Sequence, residues 1–149
     1  MSSFIKTVVD RSFRNHGFNK KADTWYYDCL ETTLVASLQK SQYANCFYIN
    51  LGVWLKSLGE SAAPKEHQCH IRIRLNAMIG KPAEDALNLD NTELDEVERQ
   101  RIIATAIESA AIPFLMACRS IDGIKDQLED GRLSKAMINK RIRELVGSK

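Results

Sequence analysis

Little in this chain is extreme, and each shortage removes a class of protein. Charge of one sign is nearly absent as an excess, with 21 Lys/Arg against 19 Asp/Glu and a net charge of +2. The halves differ only mildly, at +4 over residues 1–80 and −2 over residues 81–149. That falls far short of the basic footprint of a dedicated nucleic-acid binder, so nucleic acid is not an expected partner. Long apolar runs are missing too. The longest, Ala110 to Cys118, is too short to span a bilayer and contains Pro113.

The start, Met1-Ser2-Ser3-Phe4-Ile5-Lys6, has no basic stretch followed by an apolar one, so no export signal is expected. The four cysteines, Cys29, Cys46, Cys69 and Cys118, show no close spacing. They read as reduced thiols, mostly buried, and the expected location is cytoplasmic. Repeats, low-complexity segments, a Gly-x-Ser-x-Gly elbow, a phosphate loop and a dinucleotide fingerprint are all lacking. No cofactor is therefore expected, and the chain leans away from catalysis.

What is present is ordinary globular composition, 44% hydrophobic and 27% charged. A chain of 149 residues fits one domain, residues 1–149, long enough to bury roughly two-thirds of its unfolded surface. Residues 3–15 place Phe4, Val8 and Phe13 with Ile5 and Val9 on an amphipathic helix that Gly17 stops. Strands then follow at Trp25 to Cys29, Thr32 to Gln39, Asn45 to Leu55 and Cys69 to Met78, rich in aromatic and β-branched residues. Short connections between them favour an antiparallel meander.

After Gly80-Lys81-Pro82 the pattern turns helical. Thr92 and Asp95 carry the capping signature of a long helix that runs to about Ala111, where Pro113 ends or kinks it. Two more helices are expected, Ile121 to Leu128 and Ser134 to Val146. The class is therefore α+β: an N-terminal helix, a four-stranded antiparallel sheet, and C-terminal helices packed on the sheet.

Alternation assigns the two faces of that sheet. Leu34, Ala36, Leu38, Phe47, Ile49, Leu51, Val53, Ile71, Ile73 and Leu75 fall on one side as the core face. Opposite them lie Ser37, Gln39, Tyr48, Asn50, Trp54, His70, Arg72, Arg74 and Asn76, a polar, aromatic and cationic face. Four strands at about 4.8 Å make a sheet roughly 19 Å across, room for about two helices. The later helices either enlarge the helical layer or fold round an edge and wall the polar face into a cleft.

Gly17-Phe18, Trp25, Leu38-Gln39-Lys40-Ser41, Phe47-Tyr48-Ile49-Asn50-Leu51-Gly52-Val53 and Cys69-His70-Ile71-Arg72 resemble the bacterial family catalogued as domain of unknown function 4304, over about residues 4–78. The resemblance implies kinship of fold and assigns no activity.

The candidate site is the polar face: Gln39, Tyr48, Asn50, His70, Arg72 and Arg74. Guanidiniums two residues apart on one strand sit about 7 Å from each other and repel unless an anion or acid answers them. Arg offers a planar fork suited to carboxylate or phosphate. The leading expectation is a binding or interaction module, one version of which, by analogy, is an immunity-type protein that neutralises a toxin enzyme. The alternative is a protein or enzyme holding a small anion in a cleft over that face. The bland readings are a solvated face, or arginines paired with acids such as Glu96 or Asp126 from the later helices. His67-Gln68-Cys69-His70 contains metal-ligand residue types, but a strand sends Cys69 and His70 to opposite sides, and no metal site is expected. Gln39-Lys40-Ser41 reads as turn-shaping, with Lys40 and Ser41 as the rim of the anion site in the other reading.

Overall fold

A computed structural model describes residues 2–146. Helix α1 (Ser2–Arg14) buries Ile5, Val8, Val9 and Phe13, while Phe4 stays 42% exposed. The inward stripe thus runs one residue further round than Phe4. Gly17 closes the helix at φ 89°, a backbone conformation that glycine adopts without steric cost. Phe13 then stacks on Trp25 with ring centroids 5.7 Å apart, and Asp10 Oδ1 accepts from Trp25 Nε1 at 2.9 Å. These contacts lock α1 onto the sheet.

Among the described residues the sheet has six strands, not four: β1 (Asn19–Lys21), β2 (Thr24–Asp28), β3 (Thr32–Lys40), β4 (Phe47–Leu55), β5 (Ile71–Arg74) and β6 (Met137–Ile138). They pair antiparallel in chain order. The two additions are the edges. Strands of three and two residues carry no period to read, and they form because the outer backbone groups of β2 and β5 need partners.

Strand β5 is shorter than Cys69 to Met78. It ends at Arg74 because the Asn76 side chain takes the β4 backbone groups that a longer strand would have used. Asn76 Oδ1 accepts from Ile49 N–H at 3.3 Å, and Asn76 Nδ2 donates to the Phe47 carbonyl at 3.3 Å. The expected helix from Ser134 to Val146 is also divided. Met137 and Ile138 pair with Arg72 and Ile71 first, and helix α6 (Lys140–Leu145) starts after Asn139, whose Oδ1 caps Arg141 N–H at 2.9 Å.

Helix α2 (Lys81–Leu87), begun by Pro82 in its first turn, was not foreseen. Asp95, rather than Thr92, caps α3 (Glu96–Ala106), with Oδ1 accepting from Glu98 N–H at 2.8 Å. A π-helical turn, Ile107–Ala111, joins α3 to α4 (Ile112–Ala117). Pro113 supplies the reason: it has no N–H, and its ring crowds the carbonyl four residues back, so the helix widens rather than stops. Helix α5 (Ile121–Glu129) follows, capped by Ser120. No single helix among the described residues is long and apolar enough to cross a membrane.

The core face is the one that alternation assigns. Trp25, Ala36, Leu51 and Ile73 form one row across four strands, and α1, α3 and α4 cover it. Phe114, Leu115, Ile124 and Ile142 join the same buried cluster. The later helices therefore enlarge the helical layer.

Candidate functional site

Register brings the polar face together. Thr24, Ser37, Asn50 and Arg74 form a second row across β2 to β5, and Gln39 sits opposite Tyr48. A third row, Tyr26, Val35, Gly52, Arg72 and Met137, is partly apolar. Its middle is covered by the β4–β5 connection, which folds back over the sheet. Gly52 allows this approach: a Cβ there would lie 2.7 Å from Cys69 Sγ. The wall of the polar face is thus this loop, and no residue of α3, α4, α5 or α6 lines the groove beneath it.

The groove has a volume of about 710 Å³. Its floor carries Thr24, Tyr26, Ser37, Gln39 and Asn50, and its cations are Lys21, Lys65, Arg72 and Arg74. Glu66 is the carboxylate that lines it. Arg72 is answered by that residue, with Nε to Glu66 Oε2 at 3.1 Å and a second nitrogen to Oε1 at 3.5 Å. The acid thus comes from the turn Glu66–Gln68 and not from Glu96 or Asp126.

Arg74 is held differently. Its Nε donates to Asn50 Oδ1 at 3.3 Å, and its guanidinium carbon lies 4.0 Å from the Tyr48 ring centroid. Asn50 Nδ2 in turn donates to Gln39 Oε1 at 2.9 Å. Gln39, Asn50, Arg74 and Tyr48 therefore form one relay. Among the described residues Arg74 has no carboxylate within 4.0 Å, and its terminal nitrogens make no hydrogen bond.

The family model described as Domain of unknown function (DUF4304) matches residues 9–117. The chain belongs to this family. The match extends beyond residue 78 to the end of α4, so the helical layer up to Ala117 is part of the DUF4304 unit, while α5, β6 and α6 lie outside the matched stretch. No curated protein and no solved structure matches the chain.

Within the DUF4304 region, four of the six expected site residues line the groove, Gln39, Asn50, Arg72 and Arg74, and Tyr48 stands beside it against the Arg74 guanidinium. His70 does neither. It precedes β5, is 7% exposed, and accepts Leu55 N–H on Nδ1 at 3.0 Å while its ring lies 4.4 Å from that of Trp54. Burial holds its imidazole below the ordinary value, with the Arg141 charge adding to the effect. A neutral ring with Nδ1 as acceptor is a structural histidine.

The neighbouring Cys69 thiol is pushed up to about 12 by burial and by the Glu66 charge, and burial alone does the same to Cys118. Both are poor nucleophiles. His67, Gln68, Cys69 and His70 face separate surroundings, and no group of three or more His, Cys, Asp or Glu among the described residues could hold a metal. Ser41 is a turn residue, its Oγ accepting from Tyr43 N–H at 3.1 Å and Ala44 N–H at 3.3 Å.

Lys21, Thr24, Tyr26, Lys65 and Glu66 belong to the groove but were absent from the expected set. Thr24 and Tyr26 were legible, since their alternation with Trp25 puts them on the polar side. Lys65 and Glu66 were not, because a loop's return path has no period.

Proposed function

We propose that this DUF4304 chain is a binding module whose groove takes up a carboxylate- or phosphate-bearing ligand. The carrying observation is Arg74. Its guanidinium is positioned by Asn50 and Tyr48, yet it faces no acid within 4.0 Å among the described residues. A pre-positioned fork with free donors favours a planar anion, because little side-chain freedom is lost on binding. The groove's size falls in the usual range for small-ligand sites. Four unpaired cysteines support a reducing, cytoplasmic setting for this activity.

The test is thermal unfolding with inorganic phosphate and with citrate. A ligand at about 100 times its Kd adds about 2.7 kcal/mol of stability, which raises Tm by roughly 5–10 °C for a chain of this size. The rise should saturate and disappear in Arg74→Met. No shift with either anion, or an equal shift in the variant, refutes the reading.

A protein partner is the second reading, and one observation favours it. Met137, 67% exposed, pairs with Arg72 at the sheet edge, an apolar anchor beside the cations. Here the anion is an acidic side chain of the partner, as in an immunity-type complex. Affinity purification should then recover a partner with the native chain and lose it with Arg74→Glu. Equal recovery on both counts against it.

A further inference from the structure

A second cavity, of about 420 Å³, lies on the helical side of β5. Ile73, Met78, Ala110, Phe114 and Ala117 give it an apolar wall. The π-helical turn that Pro113 imposes brings Ser109 and Ala110 to its surface, and such turns gather at functional sites. Gln127 also lines it, although only 6% of that residue is exposed. Its side-chain amide makes no hydrogen bond among the described residues, whereas its backbone carbonyl accepts from Arg132 N–H at 3.1 Å. The amide is not sealed away, since the buried side-chain polar atoms without a partner among the described residues are Glu96 Oε2 and Arg99 Nε; its donors and acceptor open into the cavity, free to meet a ligand.

Two exposed cations stand at the rim, Arg132 and Lys135. Neither is firmly engaged: Arg132 reaches Asp130 only at 4.0 Å, and Lys135 donates to the Ala77 carbonyl at 3.4 Å. The cavity therefore joins an apolar body, one unmet amide and two available positive charges.

We propose that this cavity is a second binding site, for a small amphipathic organic acid. The apolar part of the ligand packs against Phe114 and Ala117, and its carboxylate meets the Gln127 amide and the Arg132 and Lys135 charges. Both sign and shape argue for an acid. An amine would meet like charge at the rim, and a purely apolar molecule would leave Gln127 unpartnered.

The experiment is an NMR titration of the full-length, isotope-labelled chain with octanoate and with 1-octanol. Octanoate should shift the Gln127 side-chain amide saturably, and 1-octanol should bind at least about tenfold more weakly, which corresponds to 1.4 kcal/mol. The double variant Arg132→Glu/Lys135→Glu should lose a similar factor for octanoate. Ala110→Phe should abolish the response by filling the space, while Arg74→Met in the polar groove should leave it unchanged. Gln127→Leu should weaken octanoate without filling the space, which keeps the test sharp even where Ala110→Phe folds poorly. The proposal is overturned by no saturable response at millimolar octanoate, by equal affinity for 1-octanol, or by charge reversal without effect.

Discussion

Replacing Gly52 by Ala would put a methyl group 2.7 Å from Cys69 Sγ and 2.9 Å from Cys69 Cβ. Carbon and sulfur atoms out of bond contact settle near 3.5–4.0 Å, so about an ångström must be found. Cys69 cannot easily retreat. Its N–H donates to the Glu66 carbonyl at 3.0 Å, and the next residue's N–H donates to the Val53 carbonyl at 3.0 Å. Rotating Sγ away relieves one contact but leaves the Cβ clash. The strain has to enter the turn that carries Glu66, or β4 itself. Overpacking of this kind costs about 1–3 kcal/mol, a fall in Tm of roughly 2–12 °C. Cys69→Gly removes both clashing atoms, so Gly52→Ala should cost much less in that background. The predicted coupling in the double-mutant cycle is at least about 1 kcal/mol, measured by urea unfolding followed through tryptophan fluorescence. A neutral Gly52→Ala, or two additive changes, would show that the β4–β5 connection does not press on the sheet as described.

Stability should also depend on pH through His70. Its folded value lies below its ordinary one, so as pH falls through about 6.5 the unfolded chain takes up a proton first and the native state loses ground, by no more than about 1.4 kcal/mol per pH unit. The loss levels off below the folded value. His70→Gln should flatten this part of the denaturation-midpoint profile, and an unchanged slope would assign it to other groups. Arg99 is 3% exposed and donates to the carbonyls of Ala86, Asn88 and Asn91 at 2.7, 2.9 and 2.5 Å. Arg99→Leu would strip the guanidinium from all three, only Asn88's carbonyl keeping a second donor among the described residues, in Asn91 N–H at 3.1 Å, and should cost about 1–3 kcal/mol or more, with Arg99→Lys in between because one ammonium replaces a fork. Equal urea midpoints for the native chain and Arg99→Leu would contradict that role.

Sequence alone determined the features that repeat along the chain. A period of two placed Leu34, Ala36, Ile49, Leu51, Ile71 and Ile73 inward and Gln39, Asn50, Arg72 and Arg74 outward, and the structure keeps every one of those sides. The α+β order, the helix after Asp95 and the disturbance at Pro113 were legible for the same reason: each rests on local backbone chemistry. The five short stretches from Gly17 to Arg72 that carry the resemblance sufficed to name the DUF4304 family.

Tertiary structure decided the features that depend on residues far apart. His70 reads as an outward, exposed residue, and only the fold shows it buried at 7% exposure. The strand begins at Ile71, yet the imidazole still lies against outward-facing Trp54, where Nδ1 takes Leu55 N–H and the ring is kept out of the groove. Arg72 reads as a free cation until the loop returns Glu66 to it, and Gly52 reads as a weak point in a strand until Cys69 is seen resting on it. Strands β1 and β6, too short to carry a period, exist only because neighbouring edges have backbone groups to satisfy. Period and composition specify which way a side chain points. What it meets there is fixed by contacts between distant segments, and those contacts form only once the whole chain has closed on its core.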